Sequence, residues 1–147
     1  MPKVVPVVYE GQGRYGDFTW MILQPEHKQA LFIFNDNEEH HRSNRAGAGN
    51  AAIRMYNQFS KYKPPRSAGI PTGTLQGGGY IKLTISHRET IDSAVREIDA
   101  LIKEHKYETI YYSSRKDSDL LGTNIFKVGE DVIEYITKQI LGLADVK

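Results

Sequence analysis

The segment Ala30-Leu31-Phe32-Ile33-Phe34 is apolar at every position, and Asn35-Asp36-Asn37 follows at once. Five apolar residues without alternation suit a strand buried on both faces, as in the middle of a parallel or mixed sheet under helices. Periodicity alone would also allow a buried helix. The shortness of the run and the polar residues that close it predict a strand instead. Such a strand needs cover on both sides, so helices must come from the rest of the sequence.

They do. Arg88 to His105 carries Ile91, Val95, Ile98 and Ile102 on one face, with Ser86 or Thr90 available as a cap. Gly129 to Leu141 lines up Val132, Ile136 and Ile140, with Gly142 as a C-terminal cap. From Gly49 onward, Ala52, Met55 with Tyr56, and Phe59 share a helical face that Lys63-Pro64-Pro65 terminates. Val4 to Tyr9, Tyr80 to Ile85 and Tyr107 to Tyr112 read as further strands, and Ser67 to Tyr80 reads mostly as loop. Strands followed by alternating helix and strand predict an α/β domain with helices on both faces of a mixed sheet. At 147 residues without a linker-like stretch, the chain reads as one domain, residues 1–147.

Composition excludes several functions. There are no cysteines, so a disulfide scaffold, a thiolate zinc site and a cysteine nucleophile are out. The net charge is +1, which speaks against a strongly basic nucleic-acid binder. Arg42, Arg45, Arg54, Lys61, Lys63 and Arg66 form the one local basic cluster. No apolar run approaches the roughly 20 residues of a membrane span. Met1 to Glu10 lacks the apolar stretch of a secretory signal, which makes the cytoplasm the default location. His40-His41 have no third ligand at a helpful spacing, and no metal is called for.

Three segments fall where α/β folds bind ligands. In the first, the strand ends in Asn35-Asp36-Asn37, and Ala46-Gly47-Ala48-Gly49-Asn50 opens a helix. Small residues let a backbone approach a ligand, and a helix N-terminus offers free N–H groups to a phosphate. A tight turn that needs glycine explains the same residues about as well. The second, Gly122-Thr123-Asn124-Ile125-Phe126, joins a strand to the last helix. Its amides could face an anion and Phe126 could stack on a ribose or base, while Ile125 reads more simply as a core plug. The third is Ile70-Pro71-Thr72-Gly73 with Gly77-Gly78-Gly79-Tyr80, which a flexible hairpin tip explains as well as a ligand does.

Taken in order, these segments resemble the macrodomain family of ADP-ribose binders. Gly16-Asp17-Phe18-Thr19 is similar to the family's Gly-Asp-Ile-Thr element, whose Asp contacts the adenine amino group. Phe34-Asn35-Asp36-Asn37 with Ala46 to Ile53 resembles its Val-Asn-Ala-Ala-Asn strand end and glycine loop. Thr72-Gly73 with Gly78-Gly79-Tyr80 resembles its Thr-Gly-Glu-Ala…Thr-x-Gly-Tyr segment. Gly122 to Gly129 resembles its second phosphate loop, Gly-x-Gly-Ile-Phe-Gly-Tyr-Pro. The likeness runs from about residue 16 to 141, with Ala46-Gly47-Ala48 where the family has three glycines.

The resemblance implies a macro-like three-layer α/β/α fold and a pocket for ADP-ribose or a related diphosphate nucleotide. Gly47, Ala48, Gly49 and Asn50, with Gly122, Thr123, Asn124, Ile125 and Phe126, would cradle the phosphates. Asp17 would face the base, Phe126 the distal ribose, and Asn35 or Asn37 the ribose hydroxyls. Hydrolytic members cleave ADP-ribosyl linkages. By that analogy Asn37 would orient water and Asp36 would be the base, since an amide cannot take a proton. ADP-ribosylated macromolecules would then be partners, and no cofactor is implied. Two alternatives stand beside this reading: a non-catalytic module that sequesters a nucleotide, and a protein-interaction domain on a macro-like scaffold.

Overall fold

The computed structural model describes residues 1–123 and 126–147. Its strands are β1 (Lys3–Val7), β2 (Ala30–Asp36), β3 (Ser67–Pro71), β4 (Gly73–Thr74), β5 (Gly78–Gly79) and β6 (Thr109–Ser113). Four of them form one sheet in the order β1-β6-β2-β3. All its pairings are parallel, with Phe32 beside Tyr111 and Ser67, so the central sheet is parallel where a mixed one was expected. Antiparallel pairing occurs in the separate hairpin β4–β5 and in a single bridge between Ser114 and Leu121.

The apolar run is the middle of this sheet, and alternation decides what each residue covers. Leu31 and Ile33 point into a cluster with Ile91, Ile98 and Ile102 of α2 (Ile85–His105) and Ile133, Ile136 and Ile140 of α3 (Glu130–Gly142). Ala30, Phe32 and Phe34 point the other way. There they meet Phe18 and Met21 of α1 (Phe18–Met21), and Ala51 and Ile53 of a 3-10 helix, Gly49–Tyr56. Phe32 stacks on Tyr111 at 5.1 Å and takes the edge of Phe18 at 5.1 Å. Each such side chain contributes about 1.5–3 kcal/mol by leaving water. The fold is α/β, a parallel sheet covered on both faces. No helix of the described residues is long and apolar enough to cross a membrane.

Four local expectations change. Ser67 to Pro71 is a fully buried strand and not a loop. Its composition hides it, because Gly69 lies against the Asp36 carboxylate, where a Cβ would overlap Oδ2. Tyr80 to Ile85 is not a strand: Ile81 and Ile85 are exposed, and Thr84, not Ser86 or Thr90, caps α2 by accepting the His87 N–H at 3.0 Å. Alternation marks a strand only where a sheet exists to bury one face. In the 3-10 helix Ala51, Ile53 and Arg54 face inward while Met55 is exposed, because the tighter winding turns a different set of residues to the core. Gly142 sits in the right-handed last turn of α3, so no left-handed glycine closes that helix.

Candidate ligand-binding cleft

The chain leaves β2 for the 3-10 helix on one face of the sheet, and leaves β6 for α3 on the other. Adjacent parallel strands whose connections part in this way leave a crevice at their carboxyl ends, which is where open α/β sheets bind ligands. A cleft of about 870 Å³ occupies this place. The Asn35 Nδ2 donates to the Gly122 carbonyl at 2.8 Å and ties the two sides of its floor together.

Asp17, Asn35, Asp36, Asn37, Gly47, Ala48, Gly49, Asn50, Gly122, Thr123 and Phe126 all line this one cleft. Asn124 and Ile125 lie outside the described residues. The third glycine-containing segment contributes Thr72 and Leu75. Its glycines have a packing reason: a Cβ at Gly73 would overlap the Gly78 carbonyl, and one at Gly79 the Lys127 carbonyl. Tyr9, Gln12, His40 and Ser113 belong to none of the three segments, and the fold brings them to the same walls.

The two loops do not offer all the amides expected of them. Gly47 N–H donates to the Ala51 carbonyl at 2.9 Å, and Gly122 N–H to the Ser113 carbonyl at 3.0 Å. Ala48, Gly49 and Asn50 are different. They begin the 3-10 helix, Gly49 in a left-handed conformation with φ 59°, and no side chain caps them. Their N–H groups are the donors this loop can turn to an anion.

Asp36 is engaged throughout. Oδ1 accepts Arg54 Nη2 at 2.6 Å, Arg54 Nε at 3.1 Å and the Asn37 N–H at 2.8 Å, and Oδ2 meets His41 Nδ1 at 3.1 Å. Its side chain has no exposure. A carboxylate held this way anchors cations, and the base role expected for it does not fit its surroundings. Asn37 accepts the His40 N–H on Oδ1 at 2.9 Å, so its oxygen is committed as well.

The ion pairs continue away from the cleft. His41 Nε2 meets Glu97 Oε1 of α2 at 2.8 Å, and Arg42 pairs with the same carboxylate at 3.0 Å. Burial alone would lower the His41 pKa. Hydrogen bonds to Asp36 and Glu97 and their negative charges overcome that and raise it to about 9. Burial would raise the Glu97 pKa, yet His41 and Arg42 hold it below the usual value. Arg54 and Asp36 thus pair beneath the cleft, while His41 and Arg42 meet Glu97 and line a separate groove with Glu38 and Glu39.

Of the basic cluster seen in the sequence, Arg42, Arg45, Lys61 and Lys63 are exposed and two members are not. Arg54 and Arg66 are buried, Arg66 donating to the Ala30 and His27 carbonyls at 3.0 and 2.5 Å, and Arg42 is paired. Among the described residues no group of three or more His, Asp or Glu is placed to hold a metal. Compared with protein-family models, curated proteins and solved structures, the chain matches none.

Proposed function

We propose that the chain binds ADP-ribose or a related diphosphate nucleotide in this cleft. The observation that carries the reading is convergence. Segments from residue 17 to residue 126 that resemble the macrodomain motifs all line one cavity, at the carboxyl ends of β2 and β6. The volume of about 870 Å³ is in the range of small-molecule and cofactor sites. The Ala48 to Asn50 amides at the start of the 3-10 helix favour an anion there. Phe126 and Tyr9 offer apolar surface for a ribose or base.

Binding without turnover is the form the geometry favours, because Asp36 is fully buried and already holds Arg54, His41 and the Asn37 N–H. A hydrolytic reading would need a water oriented by Asn37 and a base other than Asp36, for which Asp17 is the remaining carboxylate on the cleft wall.

The test is calorimetric titration with ADP-ribose, and with ADP, AMP and NAD as comparators. The expected result is saturable binding of ADP-ribose at micromolar strength, about −8 kcal/mol. Binding of comparators alone would retain a nucleotide site and reject ADP-ribose. Absence of heat with all four would reject the reading and favour a protein-interaction domain.

A further inference from the structure

We infer that Arg54 is the positioning residue of the cleft's anion loop: pinned by Asp36, it holds residues 45–50 in the shape that turns their amides to the ligand. This rests on the reading of the cleft as an anion site.

Arg54 enters from the 3-10 helix and is 2% exposed. Its guanidinium divides its donors between two structures. Nε and Nη2 go to Asp36 Oδ1 at the end of β2, at 3.1 and 2.6 Å. Nη1 goes to the Arg45 carbonyl at the start of the loop, at 2.9 Å. A planar fork can span a carboxylate and a carbonyl at fixed separation, and an ammonium cannot. The loop also rests on the fork. A Cβ at Gly47 would lie 2.9 Å from Arg54 Nη1 and 3.1 Å from Ala51 Cβ, so glycine there allows the backbone to close down on the guanidinium.

The rest of the fold makes room for this arrangement. Gly69 of β3 gives space to Asp36 Oδ2, and His41 occupies that oxygen from the far side. The Arg54 guanidinium carbon lies 5.8 Å from the Phe34 ring centre. The sheet thus fixes Asp36, Asp36 fixes Arg54, and Arg54 fixes the loop. The loop's other hydrogen bonds, Gly47 N–H to the Ala51 carbonyl, Ala51 N–H to the Ala48 carbonyl and Arg45 N–H to Ser43 Oγ, stay within its own segment and do not tie it to the sheet.

The experiment compares wild type, Arg54→Lys and Gly47→Ala. Arg54→Lys keeps a cation beside Asp36 and loses the second arm to Arg45. Gly47→Ala keeps the ion pair and pushes the loop off the guanidinium, so it guards against a folding failure in the first variant. Amide exchange is recorded without ligand, and inorganic pyrophosphate, ADP-ribose and adenosine are titrated. The expected result is about tenfold faster exchange or more at the hydrogen-bonded Gly47 and Ala51 amides of the loop, with β2 and β6 amides unchanged. Pyrophosphate and ADP-ribose should weaken about tenfold or more, while adenosine, which carries no phosphate, holds its affinity. Loop exchange unchanged in both variants would overturn the inference, as would faster exchange with pyrophosphate affinity intact. Equal loss of adenosine and ADP-ribose would also overturn it, because that marks a general disturbance. If wild type binds no phosphate-bearing probe, the anion-site reading fails, and exchange alone decides whether Arg54 holds the loop.

Discussion

Asn35 and Gly122 are 87 residues apart in sequence and joined by one hydrogen bond, Nδ2 to carbonyl, at 2.8 Å. The bond closes the floor of the cleft between the end of β2 and the loop that follows β6. Asn35→Asp places a carboxylate where the carbonyl needs a donor. The expected loss is about 1–3 kcal/mol in urea unfolding, from a lost bond and an acceptor facing an acceptor. Unchanged stability would show that the contact does not hold the two strand ends together.

His41 makes stability depend on pH. Its pKa is raised to about 9 in the folded chain against 6.5 when free, so its contribution is complete below about pH 6.5 and fades as pH rises toward 9. The groups that face it are Asp36, Glu97 and the edge of Phe59. The loss over that window should be at most about 3 kcal/mol. His41→Gln should flatten the slope in thermal melts across the window, and a parallel slope in both proteins would assign it to another group.

Gly69→Ala tests the space given to Asp36. The new methyl would overlap Asp36 Oδ2 and strain a buried ion pair, so a loss of more than about 2 kcal/mol is expected. Asp36→Ser is itself destabilising, because it leaves Arg54 unpaired, but Gly69→Ala should cost less in that background than in wild type if the collision with Oδ2 is its cause. Chemical denaturation of the single and double variants measures this coupling.

The 3-10 helix offers a direct comparison. Ile53→Ala should cost about 2–5 kcal/mol, since Ile53 is fully buried. Met55→Ala should fall within about 0.5 kcal/mol, since Met55 is half exposed. Equal losses would mean that the helix packs through the face carrying Met55.

Much of this molecule is written locally. The run from Ala30 to Phe34 could satisfy its side chains only between two layers, and the regular spacing in α2 and α3 supplies one of them. The polar residues after β2 and the small residues after Arg45 marked the strand-to-helix junctions that become the cleft. These features depend on neighbours in sequence, and periodicity reports them directly.

Other features exist only once distant segments meet. β3 has the composition of a loop partly because Asp36, on the adjacent strand, leaves no room for a side chain at Gly69, and it is a strand through its parallel pairing with β2. The glycines around Gly78 look like a ligand loop and are instead accounted for by the hairpin closing on itself and on Lys127. Asp36 looks like a base beside a pocket. Arg54 and His41, brought to it by the fold, make it an anchor for charge. Local sequence therefore determined which segments are strands and helices where a repeating apolar pattern exists. Tertiary structure decided which polar residues are free and which are spent on one another, because a buried charge takes its character from partners that no local spacing records.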